Sequence, residues 1–176
     1  MHIYLIGFMG SGKSSAGKRL ARLLGYPFLD IDQAITEEYH MDISDIFSRY
    51  DEEVFRLMEK DVLRKTADLE EPYVISAGGG TPCFHDNMDF MLSHGLTVYL
   101  HLEIPVLVNR IRHSHTRRPL VDTKDTGELS QRVEELFIRR ERFYTQADIH
   151  FDARNLDADL LVRAVKEGLQ RKGLKA

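Results

Sequence analysis

Gly7-Phe8-Met9-Gly10-Ser11-Gly12-Lys13-Ser14 is the stretch on which the fold turns. It has the spacing G-x-x-x-x-G-K-[ST]. It follows a short apolar run, His2 to Ile6, and precedes a stretch in which Ala16, Leu20, Leu23 and Leu24 keep a helical period. A strand, a glycine-rich turn and a helix in that order make a phosphate cradle. Backbone N–H groups turn inward, the helix presents its positive end, and Lys13 adds a point charge where the β and γ phosphates would lie. Ser14 offers a hydroxyl to Mg²⁺. Gly10, Ser11, Gly12, Lys13, Ser14 and Ser15 are therefore the candidate residues for the phosphates of a nucleotide.

Outward from this turn, β-rich runs recur at Pro27 to Asp30, Tyr73 to Ala77, Leu96 to Leu102 and Ile149 to Phe151, separated by amphipathic stretches. Strands alternating with helices predict a parallel sheet, here of five strands. The fold class expected is α/β, a three-layer α/β/α unit of the P-loop, nucleoside-monophosphate-kinase-like kind. Residues 1–176 read as one kinase-type domain. Glu52 to Asp68 reads as a helix with Val54, Leu57, Met58 and Val62 on one side, which leaves Arg56 free to meet a ligand. His113 to Gly127 lacks periodicity and reads as a long loop of the lid kind. Leu161, Val165, Gly168 and Leu169 form a last core-facing stripe.

Composition narrows the classes. The chain has 176 residues, 43% hydrophobic and 30% charged, with a net charge of −4, which suits an ordinary soluble domain and gives no field to draw nucleic acid. Arg117 and Arg118 form the best basic pair, and a clamp on a small phosphate ligand accounts for them more simply than a duplex footprint. Cys83 is the only cysteine, so no intrachain disulfide forms and a reducing cytoplasm is compatible. Ile3 to Ile6 is too short for a signal peptide, and no run is long enough to span a membrane. A cytoplasmic monomer is expected.

A GTPase switch would show D-x-x-G and N-K-x-D patterns, and neither occurs. A motor ATPase needs more chain. Transfer of a phosphoryl group to a small molecule is left, and the acceptor side must identify it. Asp30 and Asp32 end the second run two residues apart. While extended, both point to one side, one in reach of Mg²⁺ and the other near an acceptor hydroxyl, although an acidic helix start would also place Asp32 there. Gly78, Gly79 and Gly80 follow the third run, either as a close backbone approach to a ligand or as an ordinary tight connection. Arg140 shares an inward stripe with Val133, Leu136, Phe137 and Tyr144, so it needs a partner: an internal carboxylate or that of a substrate.

These residues, with Ser15, Gly17, Leu20 and Ala21 after the cradle, Ile46-Phe47, Glu53-x-Phe55-Arg56-x-x-Glu59, Arg118-Pro119-Leu120 and Arg140-x-x-x-Tyr144, resemble the successive signatures of the shikimate kinase family over nearly the whole chain. The resemblance implies transfer of the γ-phosphoryl of ATP to the 3-hydroxyl of shikimate, with Mg²⁺, in aromatic amino acid biosynthesis. It implies Lys13 and Ser14 at the ATP phosphates and metal, Asp30 near the metal through water, and Asp32 on the shikimate hydroxyls. Arg56 and Arg140 would bind the shikimate carboxylate. Gly78, Gly79 and Gly80 would lie along the ring hydroxyls, Phe47 and Phe55 would wall the ring, and Arg118 would close from a lid at about 113–127. Lys13, Asp32 and Arg118 form the implied catalytic set. Residues from about 32 to 62 would form the acceptor-binding region, and Arg110 and Arg154 stand for the adenine side.

Ser15 stands where the family usually has threonine, which keeps a hydroxyl. The His113-x-His115 pair and Cys83 have no matching ligands or base nearby and are assigned no chemistry. A gluconate-type kinase would share the cradle but need another acceptor pocket. A nucleotide-binding regulatory module would leave the acidic and arginine positions without a role.

Overall fold

The computed structural model describes residues 1–114, 119–123 and 125–173. Five strands, β1 (His2–Ile6), β2 (Phe28–Asp30), β3 (Val74–Ser76), β4 (Gly95–His101) and β5 (Ile149–Asp152), form one parallel sheet in the order β2-β3-β1-β4-β5. The expected strands are all present, and β1 lies in the middle, paired Ile3 to Val74 on one side and Ile3 to Leu96 on the other. Every residue of β1 is buried. A central parallel strand is covered on both faces, which is why it reads as an unbroken apolar run rather than an alternating one.

Eight α-helices connect the strands among the described residues: α1 (Lys13–Leu24), α2 (Ile31–Tyr39), α3 (Ile43–Arg49), α4 (Glu52–Lys65), α5 (Asn87–His94), α6 (Ile104–Arg112), α7 (Thr126–Tyr144) and α8 (Ala158–Arg171). Alternation along β1 separates the two layers. Leu5 lies against α1 at Gly17, whereas the hydroxyl of Tyr4 meets Thr66, just past α4, at 3.0 Å. Helix α8 packs beside α1. Its stripe of Leu161, Val165, Gly168 and Leu169 is buried as expected.

Two stripes differ from expectation. On α1, Leu23 is exposed and Gly17 and Ala21 are buried instead. On α4, Leu57 is 52% exposed, while the buried face carries Phe55, Arg56, Glu59, Val62 and Leu63. Hydropathy favours Leu57 for the buried face. The helix instead turns a paired arginine and glutamate inward, and a pair of opposite charges can occupy a buried face that neither could occupy alone.

Helix α7 starts at Thr126, inside the 113–127 stretch expected as a loop, of which residues 115–118 and 124 lie outside the described residues. Asp125 caps that helix by accepting from the Glu128 N–H at 2.7 Å. Pro119–Val121 forms a 3₁₀ turn whose Val121 is buried. No helix among the described residues is long and apolar enough to cross a membrane.

Candidate active site

The cradle takes the expected form at the carboxyl end of β1, where ligands of open parallel sheets bind. Gly12 precedes α1 with φ 92° and Gly10 has φ 83°, both in the left-handed region that side chains rarely enter. Lys13 is buried, and its Nζ donates to the carbonyls of Gly7 at 2.9 Å and Phe8 at 3.0 Å, which holds the ammonium over the loop. Ser14 and Ser15 border the cavity. Ser11 does not. Its side chain is buried and its Oγ has no hydrogen-bond partner among the described residues.

The two aspartates lie where the second strand becomes a helix: Asp30 is the extended last residue of β2, as expected, and Asp32 takes the helix start that the sequence left open as the alternative. Strand β2 stops at Asp30, whose Oδ1 accepts from the Asp32 N–H at 3.1 Å and so caps α2. Asp32 is in the first helical turn. The cap also fixes the second oxygen of Asp30, which accepts from the Ser14 hydroxyl at 2.5 Å. Hydroxyl and carboxylate thus form an oxygen pair at the mouth of the cradle, of the kind hard divalent cations take. Among the described residues, no three His, Cys, Asp or Glu side chains cluster as a metal site.

A cavity of roughly 770 Å³ joins this end of the sheet to α2, α3, α4 and α7. Asp32 opens onto it. Although solvent reaches this carboxylate, protein mass surrounds it, and its pKa is raised to about 6, first by desolvation and then by the charges of Glu59 and Asp30. Across from it, Glu59 is 0% exposed. It accepts from Arg56 Nη1 at 2.8 Å and from the Thr81 hydroxyl at 2.5 Å.

Arg56 is therefore not free, contrary to the sequence reading. Glu59 holds it on one side and Glu52 at 2.8 Å on the other, and it lies over the Phe84 ring at 4.2 Å. Desolvation works against its charge, but the two glutamates outweigh it and the guanidinium stays firmly ionised. It still borders the cavity. Packing by itself accounts for two of the three glycines. A side chain on Gly78 would come within 2.6 Å of Glu59 Oε1, and one on Gly80 within 2.5 Å of Arg56 Nη2.

Arg140 is the other inward arginine. Of the expected α7 stripe, Val133, Phe137, Arg140 and Tyr144 are buried and Leu136 is half-buried. Of the two partners left open, the internal one is missing: among the described residues no carboxylate forms an ion pair with Arg140, although the side chain is only 4% exposed and borders the cavity. Its guanidinium lies 5.9 Å from the Phe8 ring centre. Phe47 and Phe55 face one another with centroids 4.8 Å apart and both line the cavity.

The remaining candidates divide. Arg110 borders the cavity under the cradle, its Nη1 3.4 Å from the Ser11 carbonyl. Arg154 does not border it. Asp152 at 2.8 Å and Glu103 at 3.2 Å hold it on the exposed side of β5. Arg117, Arg118 and His115 lie outside the described residues. His113 engages the Asn109 carbonyl through Nδ1 at 2.8 Å. Burial pushes the Cys83 thiol up to about 11, which suits a packed thiol and not a nucleophile. Three contributors went unassigned in the sequence: Glu52, Glu59 and Thr81. The glutamates stand four before and three after Arg56, a spacing that announces an ion pair on any helix. Thr81 gave no signal, because its partner is distant in sequence.

Comparison with known proteins bears on the family and the fold. The family model described as shikimate kinase matches residues 9–170. A shikimate kinase from Parabacteroides distasonis is 38% identical, over 96% of this chain and 97% of that one. A crystal structure of shikimate kinase from Bacteroides thetaiotaomicron superposes with a TM-score of 0.88 at 38% identity, covering 97% of this chain and 98% of the other. A shikimate kinase from Acinetobacter baumannii, solved in complex with shikimate, gives a TM-score of 0.86 at 29% identity, with 99% and 95% covered.

Proposed function

Because the chain belongs to the shikimate kinase family, we propose that it transfers the γ-phosphoryl group of ATP to the 3-hydroxyl of shikimate, giving shikimate 3-phosphate and ADP. The observation that carries this reading is Arg140: a buried cation with no internal acid among the described residues, in the same cavity as Lys13 and Asp32. A buried guanidinium needs an anion, and a planar fork suits a carboxylate. Asp32 and the glycine turn lie along the same cavity, where ring hydroxyls need acceptors and donors.

Phosphoryl transfer asks mainly for alignment and charge neutralisation. The acceptor oxygen forms a bond to the γ-phosphorus as the bridging bond to ADP breaks. The bonding pair leaves with the β-phosphate, and the hydroxyl proton passes to Asp32. A carboxylate with a pKa near 6 accepts that proton more readily than an ordinary aspartate and is still ionised at neutral pH. Lys13 neutralises the terminal phosphates. Arg140 takes the shikimate carboxylate, while Arg56, committed to two glutamates, offers only its remaining N–H groups beside Gly80. Phe47 and Phe55 wall the ring. Arg118, outside the described residues, is assigned to the transferring phosphoryl by the family pattern alone.

Mg²⁺, held by Ser14 and through water by Asp30, would supply charge neutralisation on the ATP phosphates. The Ser14 hydroxyl and Asp30 carboxylate, 2.5 Å apart, fit that ion. Arg110 is the better of the two adenine-side candidates, since only it borders the cavity.

A coupled ADP-release assay with ATP and Mg²⁺ tests the reading. Release should depend on shikimate and not on gluconate or nucleoside monophosphates. Equal release with gluconate would reassign the acceptor, and ATP binding without any acceptor-dependent release would leave only a nucleotide-binding module.

A further inference from the structure

Tyr144 reads in the sequence as the last member of the α7 core stripe, and it is fully buried. Its hydroxyl nevertheless has directed work. It donates to the carbonyl of Gly79 at 2.5 Å. The ring is stacked on Tyr99, centroids 5.3 Å apart and planes at 29°, so packing against β4 fixes where that hydroxyl sits. Arg140 lies one helical turn earlier on the same buried face of α7, and its charge opposes the rise that burial imposes on the Tyr144 pKa.

Gly79 in turn lies on the phosphate cradle, since a side chain there would come within 3.0 Å of the Met9 amide nitrogen. Its carbonyl belongs to the planar peptide that also carries the Gly80 N–H. In a trans peptide those two groups point in opposite directions, so holding one aims the other. Gly80 borders the cavity. One phenol hydroxyl therefore connects the guanidinium left without an internal acid, the glycine turn after β3 and, through that turn, the loop that holds the phosphates.

We propose that Tyr144 is a positioning residue for the transfer, its hydroxyl setting the Gly79–Gly80 peptide and the Arg140 guanidinium in register with the phosphate cradle. The inference rests on the acceptor site proposed above. Tyr144 is not among the residues that line the cavity. It acts on the acceptor through Arg140 and Gly80, so its loss falls on shikimate and on alignment, not on nucleotide affinity.

Tyr144→Phe removes only the hydroxyl and keeps the ring on Tyr99. With shikimate and ATP varied in turn, the KM for shikimate should rise about 5- to 10-fold and kcat fall several-fold, while the KM for ATP stays within about twofold. Tyr99→Phe is the control. Its hydroxyl has no hydrogen-bond partner among the described residues, so all three constants should hold. A Tyr144→Phe enzyme with wild-type kcat and shikimate KM, even with a lowered Tm, would overturn the proposal, as would equal rises in both KM values. Should that variant not fold, 3-fluorotyrosine at position 144 keeps ring and hydroxyl but changes the donor's acidity. A shikimate KM that moves at constant ATP KM supports the proposal, and two unmoved values overturn it. Wild-type enzyme without shikimate-dependent ADP release would instead sink the acceptor assignment, and this inference with it.

Discussion

Replacing each inward arginine by alanine should separate a charge reserved for substrate from one committed to the fold. Arg140 is 4% exposed, with no internal acid among the described residues, and Arg56 is 3% exposed between two glutamates. Truncating one partner of a buried, hydrogen-bonded ion pair costs about 2–5 kcal/mol. For Arg140 the partner proposed above is the shikimate carboxylate, and on that reading Arg140→Ala should weaken shikimate binding by ~30- to 5,000-fold. Stability should hold or rise slightly, because an uncompensated buried charge is gone. For Arg56 the stranded partner is Glu59, 0% exposed, and Arg56→Ala should cost about 3–5 kcal/mol of folding stability. Calorimetric titration with shikimate and with ATP, paired with denaturant unfolding of both variants, reads each term. The reasoning fails if Arg140→Ala loses stability while its shikimate affinity stays at the wild-type value, or if ATP affinity falls as far as that of shikimate.

The acid limb of kcat/KM for shikimate should lie near pH 6, since the raised pKa of Asp32 means activity is lost as pH falls through that value and not through the ordinary aspartate range near 4. Glu59→Gln removes the largest charge acting against ionisation of Asp32, so that limb should move to lower pH; a limb unmoved in Glu59→Gln would show that the charge of Glu59 does not reach Asp32. Asp30→Asn should raise the Mg²⁺ concentration for half-maximal rate about 10- to 100-fold, and an unchanged Mg²⁺ titration would remove Asp30 from the metal site. Lys13→Ala should lower kcat roughly 10²- to 10³-fold, as expected for loss of one donor to a developing charge, measured by ADP release at saturating shikimate.

Some of this site was legible in the chain because its signals are local. The cradle, the strand before it and the helix after it sit in one continuous stretch, and buried parallel strands betray themselves as apolar runs. The Arg140 stripe was readable for the same reason, as helical spacing alone puts that guanidinium inward. What could not be read were choices between two local outcomes consistent with one pattern. Asp30 and Asp32 share a side on a strand, yet a helix beginning at Ile31 places them equally well at the cavity once Asp30 caps it. On α4, hydropathy favoured Leu57, whereas the fold buried Arg56 and Glu59 as a pair. Only the family resemblance points to Arg154, and the nearby carboxylates Asp152 and Glu103 hold it outside the cavity.

The cavity sorts its charges by whether the protein itself satisfies them. Arg56 and Glu59 neutralise each other and become part of the wall, while Ser14 and Asp30 form an oxygen pair with capacity for a cation, and Arg140 keeps an anion's place. On the proposed function, the groups that border the cavity then match the chemical features of the two substrates one by one: terminal phosphates with their metal, ring hydroxyls, a carboxylate. Such a site discriminates by what a wrong ligand leaves behind. An acceptor of similar size lacking the carboxylate would close Arg140 into the cavity with no partner, and the desolvation cost of that stranded guanidinium, more than any contact forgone, is what turns such a molecule away.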